Sequence, residues 1–245
     1  MRVGLIFSVV GMFLALPPAL DAASAAPGPK RHFSRGVKAL KAGDAEKARE
    51  LFALARQSAP DSFMLQLYWA IAEQTVQPTS AAALETLEQV VAAAPTNPRA
   101  HYYLCISYEH AKRPEVAAAS FRKALELRAG FRDAELRLAF ALRDAGDTTA
   151  AIVVFENVVG ALTDPIAALA SLAELYEAAQ RPEDAERALR QIARAQPTVA
   201  YHRYRLAQFF ERIGEVEKAK RALKKAEAID PRPKKKMRPL KPSRR

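Results

Sequence analysis

Residues 98–131 read PRAHYYLCISYEHAKRPEVAAASFRKALELRAGF. In the second half of this stretch Ala117 is followed four residues later by Phe121 and seven later by Ala124, the spacing of one helix face. The same triplet recurs outward in both directions. Ala48, Ala83, Ala117, Ala151, Ala185 and Ala219 stand at intervals of 35, 34, 34, 34 and 34 residues. Each is followed by a larger apolar residue (Phe52, Leu87, Phe121, Phe155, Leu189, Leu223) and then by a second (Ala55, Val90, Ala124, Val158, Ile192, Ala226). Twelve residues after the alanine, four of the six units carry a proline, Pro60, Pro95, Pro197 or Pro231, which cannot continue a helix. Self-similarity at this period is the mark of a stacked repeat. No stretch alternates at period two, and the Ala, Leu, Glu and Arg content favours helix, so sheet is not expected.

The first half of each unit has its own pattern. Leu104, Cys105 and Tyr108 lead into Ala117 and Phe121; Leu138, Ala139 and Leu142 into Gly146 and Ala151; Leu172, Ala173 and Tyr176 into Ala185; Leu206, Ala207 and Phe210 into Gly214 and Ala219. On these residues the chain resembles the tetratricopeptide repeat family, whose 34-residue unit is a helix-turn-helix. The resemblance implies an all-α fold, a right-handed α-solenoid of six repeats over residues 29–231, divided at about 29–62, 63–97, 98–131, 132–165, 166–199 and 200–231. Repeat two departs most, and its extra residue is expected in the turn around Pro78. Gly36, Ala70, Cys105, Ala139, Ala173 and Ala207 are the small residues that let paired helices cross closely. Helices of about 12 residues are marginal alone in water, so each unit depends on its neighbour and the six are expected to form one array. Cys105, the only cysteine, is then a buried packing residue, and no intramolecular disulfide is available.

The ends differ from the array. Met1-Arg2, an apolar run from Val3 to Leu16 and the small residues Ala22 to Ala26 read as a secretory signal over residues 1–25, since the run is shorter than the ~20 residues of a membrane span. This predicts a periplasmic or secreted protein, with an uncleaved N-terminal membrane anchor as the alternative. Abundant Ala and Arg with two asparagines fit a GC-rich bacterial genome. Residues 232–245 carry eight basic side chains and no acidic one, so most of the net charge of +11 belongs to this tail, which is predicted disordered. Lys234, Lys235, Lys236, Arg238, Lys241, Arg244 and Arg245, with Arg232, offer contacts to an anionic lipid or polysaccharide surface. Nucleic acid is not expected, because no aromatic residues are interleaved for base stacking.

Catalysis finds no motif. The four histidines do not share metal spacing, and the nine glycines build no phosphate loop or nucleophile elbow. No enzyme activity, cofactor or metal is predicted. The family resemblance instead implies a groove lined by the first helix of each repeat that accepts a peptide or partner helix. It points to Arg99, Tyr102, Ile106 and Glu109 in repeat three, Arg137, Phe140 and Arg143 in repeat four, Glu174 in repeat five, and Tyr201, Tyr204, Arg205 and Gln208 in repeat six. Rigid aromatics and planar guanidinium groups give much contact for little lost entropy. The Lys and Asn with which some family members hold a chaperone carboxylate are replaced by Phe33 and Val37, so that clamp is absent. The expected role is an exported adaptor that binds a protein segment and helps assemble an envelope complex; the alternative is a surface tether working through the tail. Ile213, Val216 and Leu223, with no further helix predicted after them, are expected to leave an uncovered end open to self-association or a partner.

Overall fold

The computed structural model describes residues 28–231, in which every regular element is a helix; the expected signal (1–25) and basic tail (232–245) lie outside them. The chain divides between Ala145 and Gly146 into two compact units. The first holds α1 (Pro29–Lys41), α2 (Ala45–Ser58), α3 (Phe63–Val76), α4 (Ala81–Ala93), α5 (Pro98–His110), α6 (Pro114–Leu127) and α7 (Arg132–Asp144). The second holds α8 (Thr148–Val159), α9 (Ile166–Ala178), α10 (Pro182–Ala195), α11 (Ala200–Arg212) and α12 (Val216–Glu227). Within each unit every helix packs on the next in the chain. The division falls inside repeat four, where the sequence predicts an unbroken array. No described helix is long and apolar enough to cross a membrane.

The repeated triplets make the core. Ala48, Phe52 and Ala55 are fully buried, as are Ala117, Phe121 and Ala124, and the other units follow with one exception. Leu223 in α12 is only half-buried, and its neighbours Ile213 and Val216 are 42% and 56% exposed. The small residues opposite are buried too, from Ala70 to Ala207. Gly36 shows why they are small: a Cβ there would lie 2.6 Å from the Phe52 ring. Cys105 is buried, its thiol 2.7 Å from the His101 carbonyl that accepts its hydrogen bond, and burial pushes the thiol pKa far up, which makes it inert.

The turns inside the repeats have three residues except one. Between α1 and α2 the middle residue Gly43 has φ +80°, and between α11 and α12 Gly214 has φ +79°. The equivalent residues after α5 and α9 are Lys112 (φ 59°) and Gln180 (φ 57°), which adopt the same left-handed backbone against the preference of a side-chain-bearing residue. Each turn closes alike, the following N–H donating back to the last helical turn: Asp44 to Ala39, Arg113 to Tyr108, Arg181 to Tyr176 and Glu215 to Phe210, at 2.8–3.0 Å. The connection from α3 to α4 spans four residues, Gln77 to Ser80, where repeat two was expected to hold its additional residue. There Ser80 donates to Glu73 (3.0 Å) and its hydroxyl accepts the Ala83 N–H (3.3 Å), while Arg49 stands 3.5 Å from the same carboxylate. The longer turn thus brings its own cap and leaves no buried side-chain polar atom unpaired among the described residues.

Candidate protein-interaction faces

In unit one the leading helices α3, α5 and α7 carry a chain of aromatic and charged side chains. The α1 ring of Phe33 meets Tyr68 edge-on at 5.0 Å. Arg99 donates to the Tyr68 hydroxyl at 2.6 Å. Tyr102 is fully buried, its ring 4.6 Å from Phe131 and 6.1 Å from Phe121. Its hydroxyl accepts from Arg137 Nε at 3.2 Å. Arg137 in turn pairs with Glu109 at 2.7 Å, the two side chains 31% and 21% exposed. Burial is the main cause of the Tyr102 pKa being pushed up to about 12. Burial also raises Glu109, against the opposing pull of Arg137. Desolvation opposes the charge on Arg137, but Tyr102 and Glu109 outweigh it and raise its pKa. The arginine is therefore held as a cation in a half-buried site, with its fork already committed.

Two predicted contact residues of this unit are corrected by that arrangement. Tyr102 and Ile106 (6% exposed) lie inside rather than on the face, because α5 is packed on both sides and its apolar and aromatic residues fill the space against Phe121 and Phe131. They fill the interior beneath the face. Phe140 and Arg143, both half-buried on α7, remain on it, the guanidinium carbon 5.0 Å from the ring centroid and its nitrogens 2.7 and 2.9 Å from Asp144.

Unit two carries a second set on α9 and α11. Arg205 donates to Glu174 at 3.2 Å and lies 3.5 Å from the Tyr201 hydroxyl. Arg212 donates to Glu177 through Nε and Nη2 at 2.6–3.1 Å. Tyr201 is 38% exposed, and Tyr204 and Gln208 are half-buried. In both units Arg99, Arg137, Arg205 and Arg212 reach back from one leading helix to a hydroxyl or carboxylate on the preceding leading helix, and so tie successive repeats. Glu109 and Glu177 stand two repeats apart and play the same part.

Sequence reading missed Tyr68 as the partner of Arg99, and Phe131 as the floor beneath Tyr102. Phe131 sits in the turn before α7, which the helical pattern does not cover. Two of the four histidines are held within the fold: His101 Nε2 is 2.9 Å from the Pro95 carbonyl and His202 Nε2 2.6 Å from Gln196. No cluster of three or more potential metal ligands occurs among the described residues.

The chain matches models of the tetratricopeptide repeat over residues 80–134, 142–204 and 203–233, together more than half its length. No curated protein matches it significantly. Among solved structures, YrrB, described as a TPR protein with an unusual peptide-binding site, is 18% identical over 75% of this chain and 94% of that one, with a TM-score of 0.65. A tetratricopeptide repeat protein from Parabacteroides merdae is 14% identical over 82% and 78%, with a TM-score of 0.64. A thermophilic TPR protein from Thermus thermophilus is 20% identical over 75% and 99%, with a TM-score of 0.52. At these identities the likeness is one of fold. With the repeat register, the helix pairs and the family models in agreement, the chain belongs to the tetratricopeptide repeat family, an all-α helical repeat whose members are protein-interaction scaffolds.

Proposed function

We propose that this chain is an exported adaptor that holds a protein or peptide segment against the leading-helix faces of its units and helps assemble a complex in the bacterial envelope. The observation that carries the reading is the ordered set of half-buried arginines and aromatics on α5, α7 and α11, with the α9 carboxylates Glu174 and Glu177 that hold two of the arginines. Side chains fixed before binding lose little entropy when a partner arrives. The peptide-binding site named for YrrB lends the same reading support by analogy of fold. Export rests on the signal-like residues 1–25, and cleavage after Ala25 is the expected processing. Phe140, Arg143, Tyr201, Tyr204 and Gln208 are the residues assigned direct contact; Arg99, Arg137, Glu174 and Arg205 position them.

The test is a pull-down from envelope extract with the mature chain. Phe140→Ala with Tyr204→Ala should abolish capture of the partner, while removal of residues 232–245 should leave it intact. Capture lost with the tail and regained at low salt would favour the tether reading, because only the tail's attraction depends so steeply on screening. Amino-terminal sequencing of the exported protein tests the signal, and a chain that still begins at Met1 would favour the anchor.

A further inference from the structure

Unit two contains a recess of about 400 Å³ between α10, α11 and α12. Six cations line it, Arg190, Arg194, Arg203, Lys218, Arg221 and Lys225, and no acidic residue does. Its floor is apolar: Leu206 and Phe210, one turn apart on α11, with Ala193 and Ala222 beside them. The recess opens on the side of the trailing helices and uses a different face of α11 from Tyr201, Tyr204, Arg205 and Gln208.

The charges form two rows. Arg190 and Arg194 lie one turn apart on α10, and Lys218, Arg221 and Lys225 run along α12. Three carboxylates reach the rows: Glu186 pairs with Arg190 at 2.7 Å and stands 3.8 Å from Lys218, Glu215 is 3.6 Å from Lys218, and Glu217, one turn before Arg221, is paired with Lys220 and feels the Arg221 charge more weakly. Arg190 and Lys218 flank the Phe210 ring at 5.8 and 5.5 Å. Arg194, Arg221 and Lys225 are exposed and enter no salt bridge among the described residues. Like charges brought this close destabilise the fold, and a bound anion would relieve them.

We infer that this recess is a docking site for an acidic peptide segment that inserts a bulky apolar side chain between its carboxylates. The two cation rows select the flanking acids, and the apolar floor selects the side chain between them. A purely polar polyanion would meet the rows and leave the floor wet. Nucleic acid would need an open aromatic face for stacking, and Phe210 is 2% exposed. The chain's own residues 232–245, with eight basic side chains and no acid, carry the wrong sign to occupy it. This site lies beyond the leading-helix faces and does not depend on them.

The test uses the full mature chain and two fluorescein-labelled 12-residue peptides, one of glutamates with two leucines one turn apart and one with serines in their place, read by anisotropy at physiological salt. The leucine peptide should bind at least 10-fold more tightly than the serine peptide. Arg194→Ser with Arg221→Ser, both at exposed positions, should cost the leucine peptide 10-fold or more with an unchanged circular dichroism spectrum. Neutralising Lys234, Lys235 and Lys236 should weaken both peptides alike and keep their ratio, and Phe140→Ala with Tyr204→Ala should change neither. Equal binding of the two peptides would overturn the proposal in favour of general polyanion attraction. So would Arg194- and Arg221-dependent binding to phosphatidylglycerol vesicles without binding of the leucine peptide, which would make the occupant a membrane.

Discussion

Arg137 in unit one and Arg205 in unit two stand two repeats apart at the same position of a leading helix, yet they do different work. Arg137 lies over the fully buried Tyr102, and both it and its carboxylate partner Glu109 are half-buried. Arg205, itself 18% exposed, pairs with Glu174, whose side chain is 54% exposed, and the position corresponding to Tyr102 is Ala170. Without the aromatic the guanidinium is held by Tyr201 and Glu174 instead, and it is the carboxylate of the pair that stands out to solvent. The same repeat chemistry thus serves packing in one unit and surface in the other, and the neighbour one repeat back decides which.

The largest expected effect follows from that difference. Arg137→Ala leaves the Glu109 carboxylate half-buried without its counter-charge, and partial exposure moderates the penalty of a fully buried pair to about 2 kcal/mol. Trp69, the only tryptophan, lies on α3 of the same unit with Arg56 4.2 Å from its ring centroid, so denaturant unfolding followed by its fluorescence reads the loss. Adding Glu109→Gln should recover part of it. A double variant no better than the single would show that the lost packing of the arginine stem, rather than the stranded charge, was responsible.

Legibility from sequence divides along the same line. The triplets led by Ala48 through Ala219 are interior positions that recur, and position alone sets their burial; only Leu223 escapes, because it lacks a following helix in the described chain. The three-residue turns and the extra residue before Ser80 could be read from spacing. The fate of Tyr102 could not. Its position usually faces a groove, and whether it does so depends on Phe131, in a turn with no periodicity, and on the reach of Arg137 from 35 residues away. The basic recess was equally hidden, since its cations belong to three helices whose individual patterns show only ordinary amphipathic faces.

Two further changes should act alike in both units. Lys112→Gly and Gln180→Gly place the residue that tolerates positive φ where the backbone already has it, and each should stabilise its unit by about 0.5 kcal/mol after the added freedom of the unfolded chain is counted. A loss at either site, seen in the urea midpoint, would mean that the Lys or Gln side chain contributes more than its backbone costs. Smaller again is Arg212→Ala. Its pair with Glu177 is bidentate but open to water, the arginine side chain 51% exposed, so the loss should be at most about 0.5 kcal/mol. A cost equal to that of Arg137→Ala would erase the distinction between packing and rim arginines.

The smallest effect, and the sharpest contrast, is in pH. Burial lowers the pKa of His110 in unit one, with Arg137 and Lys112 adding to it, and burial with Arg205 lowers His202 in unit two. A depressed histidine binds its proton later in the folded than in the unfolded chain. Its stabilising effect is complete above the ordinary value of about 6.5 and is lost as pH falls through the folded value. Glu109 has the opposite sign: its folded pKa is raised, so it takes up a proton in the fold before it would in the unfolded chain, and acidification toward about 4.3 returns stability to unit one. Unit two has no such offset among its shifted groups. The melting temperature of the chain should therefore fall between pH 7.5 and 5, fall less in His202→Gln, and fall more steeply in Glu109→Gln. Identical slopes in all three proteins would mean that the interior of unit one and the rim of unit two do not differ in the way their arginines are set.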